Sequence, residues 1–354
     1  MATSLKRIYR LISYHSRLFS VRTLKFVGVF FGPRLTFAYD ANNVFDGFGA
    51  QLHRVLSIVH TAHYFNFQML QPSILQVTLH PLDPIKTISE MSEFLELCNS
   101  AFFDSPRFNR NHTAPENHGS IHISSLNLRT LSFLILRSIL FSKPYIIYIK
   151  DAHSLADLRV NYYSSIIPIY FDGFLKTYVN REKNQELVIH YRQGAGNFKI
   201  YPGQRIPRQI SLRNFKQIVL KLCELKFFEA SKVRIFTDSP QTRLDFYPPQ
   251  EQLMLWIDSP GFDGTKVTYE GLDIESEFQT ISNNFKIPVS IDRNLNAFEM
   301  IVHMANAGFL MTSRSSLSYV AGLLNFQGHI VIAPNFWHPK PSRWFAHDDI
   351  RKLS

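Results

Sequence analysis

At 354 residues, 45% hydrophobic and 19% charged, the chain is too apolar to be disordered and too long for one small domain, and it suits two domains of about 150 residues each. Lys and Arg number 38 against 28 Asp and Glu, a formal charge of +10 that favours an anionic partner (a phosphate-bearing ligand, nucleic acid or an acidic membrane surface) without choosing among them. The two cysteines, Cys98 and Cys223, lie far apart in apolar, helix-like contexts, which excludes a disulfide framework and a cysteine zinc site.

Residues 1–34 read as a basic arm, with Lys6, Arg7, Arg10, Arg17, Arg22, Lys25 and Arg34 and no acidic residue before Asp40. Its longest apolar run, FVGVFFG, is too short to span a bilayer, and it lacks the apolar core and cleavage site of a secretory signal. The expected compartment is therefore cytoplasmic. The arm itself reads as a transit peptide, a membrane-surface helix or a solvated extension, so contact with an organelle or membrane surface runs through the arm.

The folded part opens with a strand in RLTFAYDANN, a glycine turn DGFGAQ and a helix over LHRVLSIVHTAHYFNF. Strand, glycine turn and helix are the opening of a Rossmann-like half. A strand at ILQVTL, a helix around SEMSEFLELCN, the polar loop SPRFNRNHTAPENHGS and a strand at YIIYI follow. The second half alternates more cleanly. Its strands are ELVIHY, VRIFT, LMLWI, IPVSI, GFLMT and HIVIAP; its helices are SLRNFKQIVLKLCELKF, IESEFQTISNN, NAFEMIVHMANA and SSLSYVAGLLN. Short apolar strands alternating with helices predict parallel sheets covered on both faces. The expected fold is α/β, two Rossmann-like domains facing across a cleft, with residues 35–183 as the first domain and 184–354 as the second, C-terminal tail included.

His190 and Arg192 stand two apart at the end of ELVIHY, so they share one side of the strand where it opens into a loop with Gly194 and Gly196. An arginine fork there fits two phosphate oxygens, and glycines let the backbone approach a ligand. The competing reading is an Arg paired with a carboxylate and a His packed at a strand edge. Asp238 closes another strand in IFTDSP, and Ser315, Ser316 and Ser318 open a helix in TSRSSLSYVAGLL, where free amides and hydroxyls suit an anion. Glu299 lies near the start of NAFEMIVHMANAGF. Taken singly, each reads as a helix cap; together they read as the walls of a nucleotide pocket.

These segments carry a resemblance. IHYRQG is similar to the His-x-Arg-Arg segment of the fucosyltransferase superfamily of GT-B glycosyltransferases, which includes α-fucosyltransferases, core fucosyltransferases and protein O-fucosyltransferases. DGFGAQLHRVLSIVHTAHYF resembles that family's Gly-x-Gly-Asn-Gln opening, IFTDSP its Thr-Asp-Asp stretch and SRSSLSYVAGLLN its closing Ser-Ser-Phe-Ser segment. The four come in family order from Asp46 to Asn325. The resemblance implies inverting transfer of fucose from GDP-fucose to a glycan or protein hydroxyl, without a metal or other cofactor. It implies Arg192 on the β-phosphate, Ser315, Ser316 and Ser318 as further donors, His190 and Gly194 beside the nucleotide, Asp238 in support and Glu299 on the guanine edge. Asp46 is the preferred general base, with His53 as the alternative, and Gly47, Gly49, Gln51 and Arg205 are assigned to loops near the cleft. Gln193 replaces the family's second arginine and Ala50 its asparagine, which leaves an inactive sugar- or partner-binding descendant as the alternative. A third class, a nucleic-acid- or membrane-associated basic protein, rests on the arm; the folded body has no concentrated basic run and no nucleic-acid partner is expected for it.

No Asp-x-Asp occurs, and the pairs His60 with His63 and His118 with His122 lack acidic or cysteine co-ligands, so no metal is expected. The first pair reads as an exposed helix face, the second as part of a polar loop. YPGQRIPRQI, with Arg205 and Arg208, reads as a lid or a rigid turn. NFWHPKPSRWF, with His338, Lys340 and Arg343, reads as a sugar-binding aromatic face or a packed tail.

Overall fold

The computed structural model describes residues 21–26, 35–41, 47–70, 108–109, 119–141, 144–161, 172–178, 185–192, 210–225, 229–247, 263–269, 271–293, 295–325, 330–336 and 338–352, with the single positions 164, 167, 250 and 253. The strand at ILQVTL, the helix around SEMSEFLELCN, all but Leu253 of LMLWI, and Asp46, Gly194, Arg205, Arg208 and most of the arm lie outside the described residues. Two compact units divide the chain: Met1–Val44, Arg54–Leu75 and Cys98–Tyr170 form the first, and Phe45–His53, Gln76–Leu97 and Phe171–Ser354 the second.

In the first unit β1 (Leu35–Tyr39), β2 (Gln68–Leu70), β3 (Phe108–Asn109), β4 (Gly119–Ile123) and β5 (Tyr145–Ile149) make a parallel sheet in the order β3-β2-β1-β5-β4. β1 is buried at every position, as a strand covered on both faces must be. Helix α1 (Phe48–Phe65) links β1 to β2, and α2 (Leu128–Phe141) links β4 to β5. From Arg54 onward α1 is buried nearly all round, on more than one stripe. Its hydroxyls are satisfied internally: Ser57 Oγ donates to Arg54 O (2.7 Å) and accepts from Ala152 N (3.2 Å), and Thr61 Oγ1 donates to Ser57 O (2.7 Å). His60 is therefore inside the protein, which corrects its placement on an exposed face. Burial first, then His63 and Arg159, lower its pKa to about 3. The polar stretch expected to be loop contains β3 and the start of β4. β4 is an edge strand with mostly exposed side chains, so it carries little of the apolar signal that marks a buried strand.

The second unit holds a parallel sheet of β6 (Glu186–Tyr191), β7 (Lys232–Thr237), β10 (Val289–Asp292), β11 (Phe309–Met311), β12 (Ile330–Ala333) and β13 (Phe345–Ala346), in the order β10-β7-β6-β11-β12-β13. Counted within the sheet this is 3-2-1-4-5-6, the dinucleotide-fold order, whose direction of winding reverses between β6 and β11. A two-stranded antiparallel ribbon, β8 (Leu244–Phe246) with β9 (Val267–Tyr269), leaves the sheet after β7. Helix α4 (Asp172–Tyr178), preceded in the first unit by the short α3 (His153–Ala156), comes before β6. Helix α5 (Leu212–Glu224) turns Phe215, Ile218, Val219 and Leu222 inward, and α6 (Ile274–Phe285) turns Ile274, Phe278 and Ile281. These meet Leu187, Ile189 and Tyr191 of β6 in one core. The helical spacing of apolar residues thus resolves into a packed face. Side-chain caps start both helices, Ser211 accepting from Asn214 N and Asp273 from Ser276 N. On the way to β11 and β12 the chain forms α7 (Ala297–Asn306) and α8 (Ser316–Leu324), and α9 (His347–Arg351) ends the described chain. The fold is thus α/β, with two parallel sheets each flanked by helices. Among the described residues no helix is long and apolar enough to cross a membrane.

Candidate functional site

The site lies in the second unit, where β6, β7 and β11 end side by side. His190 is buried in β6, and its Nδ1 is 2.8 Å from Ser313 Oγ, two residues past the end of β11. That hydrogen bond crosses the point where the sheet's winding reverses, the place at which open α/β sheets bind ligands. Burial lowers the His190 pKa to about 4; Asp238 opposes the shift and Arg192 adds to it. The ring is therefore neutral near neutral pH, a dipole and hydrogen-bonding wall with no charge to offer.

Arg192 follows β6 directly, and its Nε lies 3.6 Å from Asp238 Oδ2, the first residue past β7. The ion-pair alternative weighed from the sequence is thus present, but 3.6 Å is too long for a good hydrogen bond. The arginine side chain is 38% exposed, and Nε makes no hydrogen bond among the described residues. Among the described residues Asp238 is the ion-pair partner of its guanidinium. Asp238 sits on a braced turn: Ser239 N donates to Thr237 Oγ1 (3.0 Å), and Arg293 Nε donates to Ser239 O (3.0 Å). Arg293 in turn grips Glu275 with two bonds of 2.6 and 2.9 Å, which hold the Glu275 carboxyl below its usual pKa.

The start of α8 forms the third wall. Ser318 Oγ accepts from Ser313 N (3.3 Å) and lies 3.2 Å from Ser315 O, tying the loop after β11 to the first turn. Ser315 takes the N-cap position yet makes no capping bond; its hydroxyl is buried with no hydrogen-bond partner among the described residues. Simple capping therefore does not account for Ser315. It does account for Glu299: on α7, Glu299 N donates to Asn296 Oδ1 (2.8 Å) and Asn296 N to Glu299 Oε2 (3.0 Å), a reciprocal capping box. Ser316, the first residue of α8, is half-buried.

The opening glycine segment belongs to the same unit. Gly47 carries the carbonyl that receives the first bonds of α1, from Ala50 N and Gln51 N. A Cβ on Gly49 would stand 2.5 Å from Leu317 N and 2.6 Å from Leu317 Cα, so this glycine lets two helix starts touch. Gln51 and His53 are fully buried, and the His53 ring packs against His338 (4.2 Å) and Tyr319 (4.9 Å). The C-terminal aromatic stretch is a packed tail: His338 and Trp344 are buried, Tyr319 Oη donates to Pro339 O (2.9 Å), and the Trp344 ring lies against Gly322 of α8.

Of the sequence-predicted residues, the structure brings His190, Arg192, Asp238, Ser315 and Ser318 to adjacent strand ends and adds Ser313, Thr237 and Arg293. Ser313 stands in the same TSRSS segment as Ser315, with no signal of its own to set it apart. The expectation of no metal is corrected: His53, His153 and His338 are a candidate set of three metal-ligating histidines. Three imidazoles suit zinc or copper, and separations of 100 and 185 residues hid them from any local spacing pattern.

No protein-family model and no curated protein matches the chain. Among solved structures, POFUT1 in complex with GDP-fucose aligns with 88% of this chain and 98% of its own at 8% identity and a TM-score of 0.40. The E. coli heptosyltransferase WaaC with ADP-2-deoxy-2-fluoro heptose aligns with 88% of this chain and 92% of its own, at 8% identity and 0.37. A putative UDP-N-acetylglucosamine 2-epimerase from Listeria monocytogenes aligns with 85% and 79%, at 7% identity and 0.32. Likenesses this faint settle no chemistry.

Proposed function

We propose that the chain is a glycosyltransferase whose second unit binds a nucleoside-diphosphate sugar at the carboxyl edge of its sheet. One observation carries the reading: the His190–Ser313 bond spans the switch point while Arg192, whose Nε makes no hydrogen bond among the described residues, stands beside it. Arg192 receives the diphosphate, and the Ser315 hydroxyl and the first amides of α8 supply further donors. As the bond from anomeric carbon to phosphate oxygen breaks, negative charge grows on the leaving diphosphate, and the same groups stabilise it. His190, neutral, lines the nucleotide without repelling or pairing with the phosphates.

The finer reading follows the family resemblance of the four segments: GDP-fucose as donor, a glycan or protein hydroxyl as acceptor, and inversion at the anomeric carbon. Here Asp238 holds Arg192 in place, Glu299 reads the guanine edge through the carboxylate oxygen its capping bond leaves over, Asp46 is the preferred general base, and Gly47, Gly194 and Arg205 belong to segments around the donor; Gly49 and Gln51, expected in a loop, lie in the first turn of α1 instead. Ser316 and Ser318 complete the α8 wall.

The test is calorimetric titration of GDP, GDP-fucose, UDP and UDP-glucose into wild type and Arg192→Ala. The guanosine diphosphates are expected to bind, UDP not, and Arg192→Ala to weaken binding by about 1.5–3 kcal/mol, as for a hydrogen bond to a charged group. Binding of UDP sugars instead would keep the site and change the donor. Failure of every nucleotide to bind would overturn the reading in favour of an inactive descendant.

A further inference from the structure

We propose that the outward ridge of α2 is a docking surface for an anionic lipid bilayer, with the helix lying in the plane of the headgroups. The inference concerns the first unit alone and does not depend on what the second unit binds. The sequence of α2, LRTLSFLILRSILF, is apolar on every side, which ordinarily marks a helix buried all round. This one is buried on one side only. Leu131, Leu134, Ile135 and Ser138 face inward, while Phe133, Leu136 and Leu140 are 58%, 53% and 68% exposed. At about 100° per residue, Arg129, Phe133, Leu136 and Leu140 fall within about 60° of one another, on the ridge opposite the buried one.

Single exposed apolar side chains are ordinary, but three large ones in succession along one ridge, spread over about 10 Å, mark an interaction surface. The polar residues nearby are turned back onto the chain. Ser132 Oγ donates to Leu128 O (2.7 Å), and Thr130 bonds to Asn127 Oδ1 through its amide (3.0 Å) and its hydroxyl (3.2 Å).

Charge selects the partner. α2 has two arginines and no acidic residue. Arg129 is exposed on the ridge itself, and the half-buried Arg137 holds its guanidinium over the Tyr145 ring at 5.2 Å. A second copy of the chain paired two-fold on this ridge would set like against like, arginine included, with no carboxylate of the helix to meet it. An anionic bilayer answers both features at once: its headgroups take the arginine, and the boundary of its acyl chains takes the phenylalanine and the leucines.

The same face of the sheet carries a second group of this kind. The connections β1-α1-β2 and β4-α2-β5 step in the same direction along the order β3-β2-β1-β5-β4. Right-handed crossovers therefore put α1 and α2 on one face. Residues 21–26, a helical stretch, reach α1 there, with Lys25 Nζ 4.6 Å from the centre of the Tyr64 ring. Arg22 and Lys25 are exposed beside Phe26, which is 69% exposed. That stretch repeats the pairing of cation with large apolar side chain seen on α2.

The test is co-sedimentation of the full chain with vesicles of about 30% phosphatidylserine in phosphatidylcholine, and with vesicles of phosphatidylcholine alone. Wild type should bind the anionic vesicles, more weakly as salt is raised, and the neutral ones far less. The triple variant Phe133→Ser, Leu136→Ser, Leu140→Ser should bind about 10²-fold more weakly with its melting temperature held, since each residue gives up roughly half of a full side-chain burial. Arg129→Gln should weaken binding about fivefold. The basic arm is intact in all of these variants, so a triple variant that binds as wild type does would overturn the proposal and assign the contact to the arm. Failure of wild type to bind, or equal binding to neutral vesicles, also overturns it. Leu136→Trp supplies a direct reading: brominated lipid should quench its added emission over that of the three native tryptophans, and unquenched emission sinks the proposal. Light scattering without lipid should find no association that the triple variant abolishes; such an association would make a second copy the occupant instead.

Discussion

Replacing Gly49 by alanine tests whether the opening segment and α8 are in contact as described. The added Cβ would stand 2.5, 2.6 and 2.7 Å from N, Cα and Cβ of Leu317, about an ångström inside normal contact for each. Two of the three atoms are backbone, so no rotamer change relieves the overlap. Nor can α8 move away freely: its first turn is tied back by the Ser313–Ser318 bonds, and Leu317 through Leu324 are all buried. Overpacking of this kind costs about 1–3 kcal/mol, and the rigid surroundings put Gly49→Ala at the top of that range. For a unit of this size that is a fall of roughly 6–12 °C in melting temperature. Gly47→Ser, two residues earlier, is the control. Nothing lies within 4 Å of a Cβ there, and serine is at least as good an N-cap as glycine, so stability should hold to within about 0.5 kcal/mol. If Gly49→Ala melts with wild type, the contact between the two helix starts is wrong, and the glycine owes its place to something other than packing.

Gly322→Ala should destabilise for the related reason that its Cβ would meet the Trp344 ring at 2.9 Å; here the obstacle is a side chain, so Trp344→Leu should recover part of the loss in the double variant, read as a coupling in urea unfolding. His190 and His60 have folded pKa values of about 4 and about 3 against 6.5 unfolded, so the unfolded chain binds more protons in this range. Stability is fully present above about pH 6.5 and falls as pH drops towards 4, by roughly 1 kcal/mol per pH unit for each ring; denaturant midpoints across pH 4–7 should shift accordingly, with a shallower slope in His190→Gln. Glu299→Gln keeps an acceptor for Asn296 N and should leave stability within a few tenths of a kcal/mol, whereas Glu299→Ala loses the reciprocal bond and about 0.5–1 kcal/mol. If Glu299 also reads guanine, GDP affinity should fall in both variants, and a loss confined to Glu299→Ala would leave it as a cap alone.

The parts of the fold that were legible in the sequence are those where one physical signal dominates. β1, β5, β6, β7, β11 and β12 are short apolar runs because parallel strands bury both faces, and α5 and α6 show their inward stripe as apolar residues three and four apart. β4 was not legible, because an exposed edge strand written Gly-Ser-Ile-His-Ile looks like the polar loop before it. β8, β9 and β13, at two or three residues each, are held by partners that no local pattern announces. His60 was misplaced because α1 is buried on more than one side, so the polar residues of its sequence do not mark a solvent face.

The site divides along the same line. Residues at strand ends could be found by position alone, since in a parallel sheet every strand delivers its C-terminal residue to one edge; His190, Arg192, Asp238 and the serines before α8 all follow from that. What position could not supply was pairing. Nothing in the sequence distinguishes Ser313, which meets His190, from Ser315, whose hydroxyl meets no described group, or marks Asp40 as the partner of His122 across 82 residues. Those pairings depend on the order of strands in the sheets, β11 beside β6 and β5 between β1 and β4, and strand order is set by long-range packing that local periodicity does not encode. The chemistry of each residue was therefore readable before its partner was. The partner decides the role: Glu299 has a carboxylate that could read a base, but its first commitment is to the backbone of its own helix, while Asp40 has an equally ordinary carboxylate whose Oδ2 lies 3.2 Å from Nδ1 of the exposed His122 imidazole.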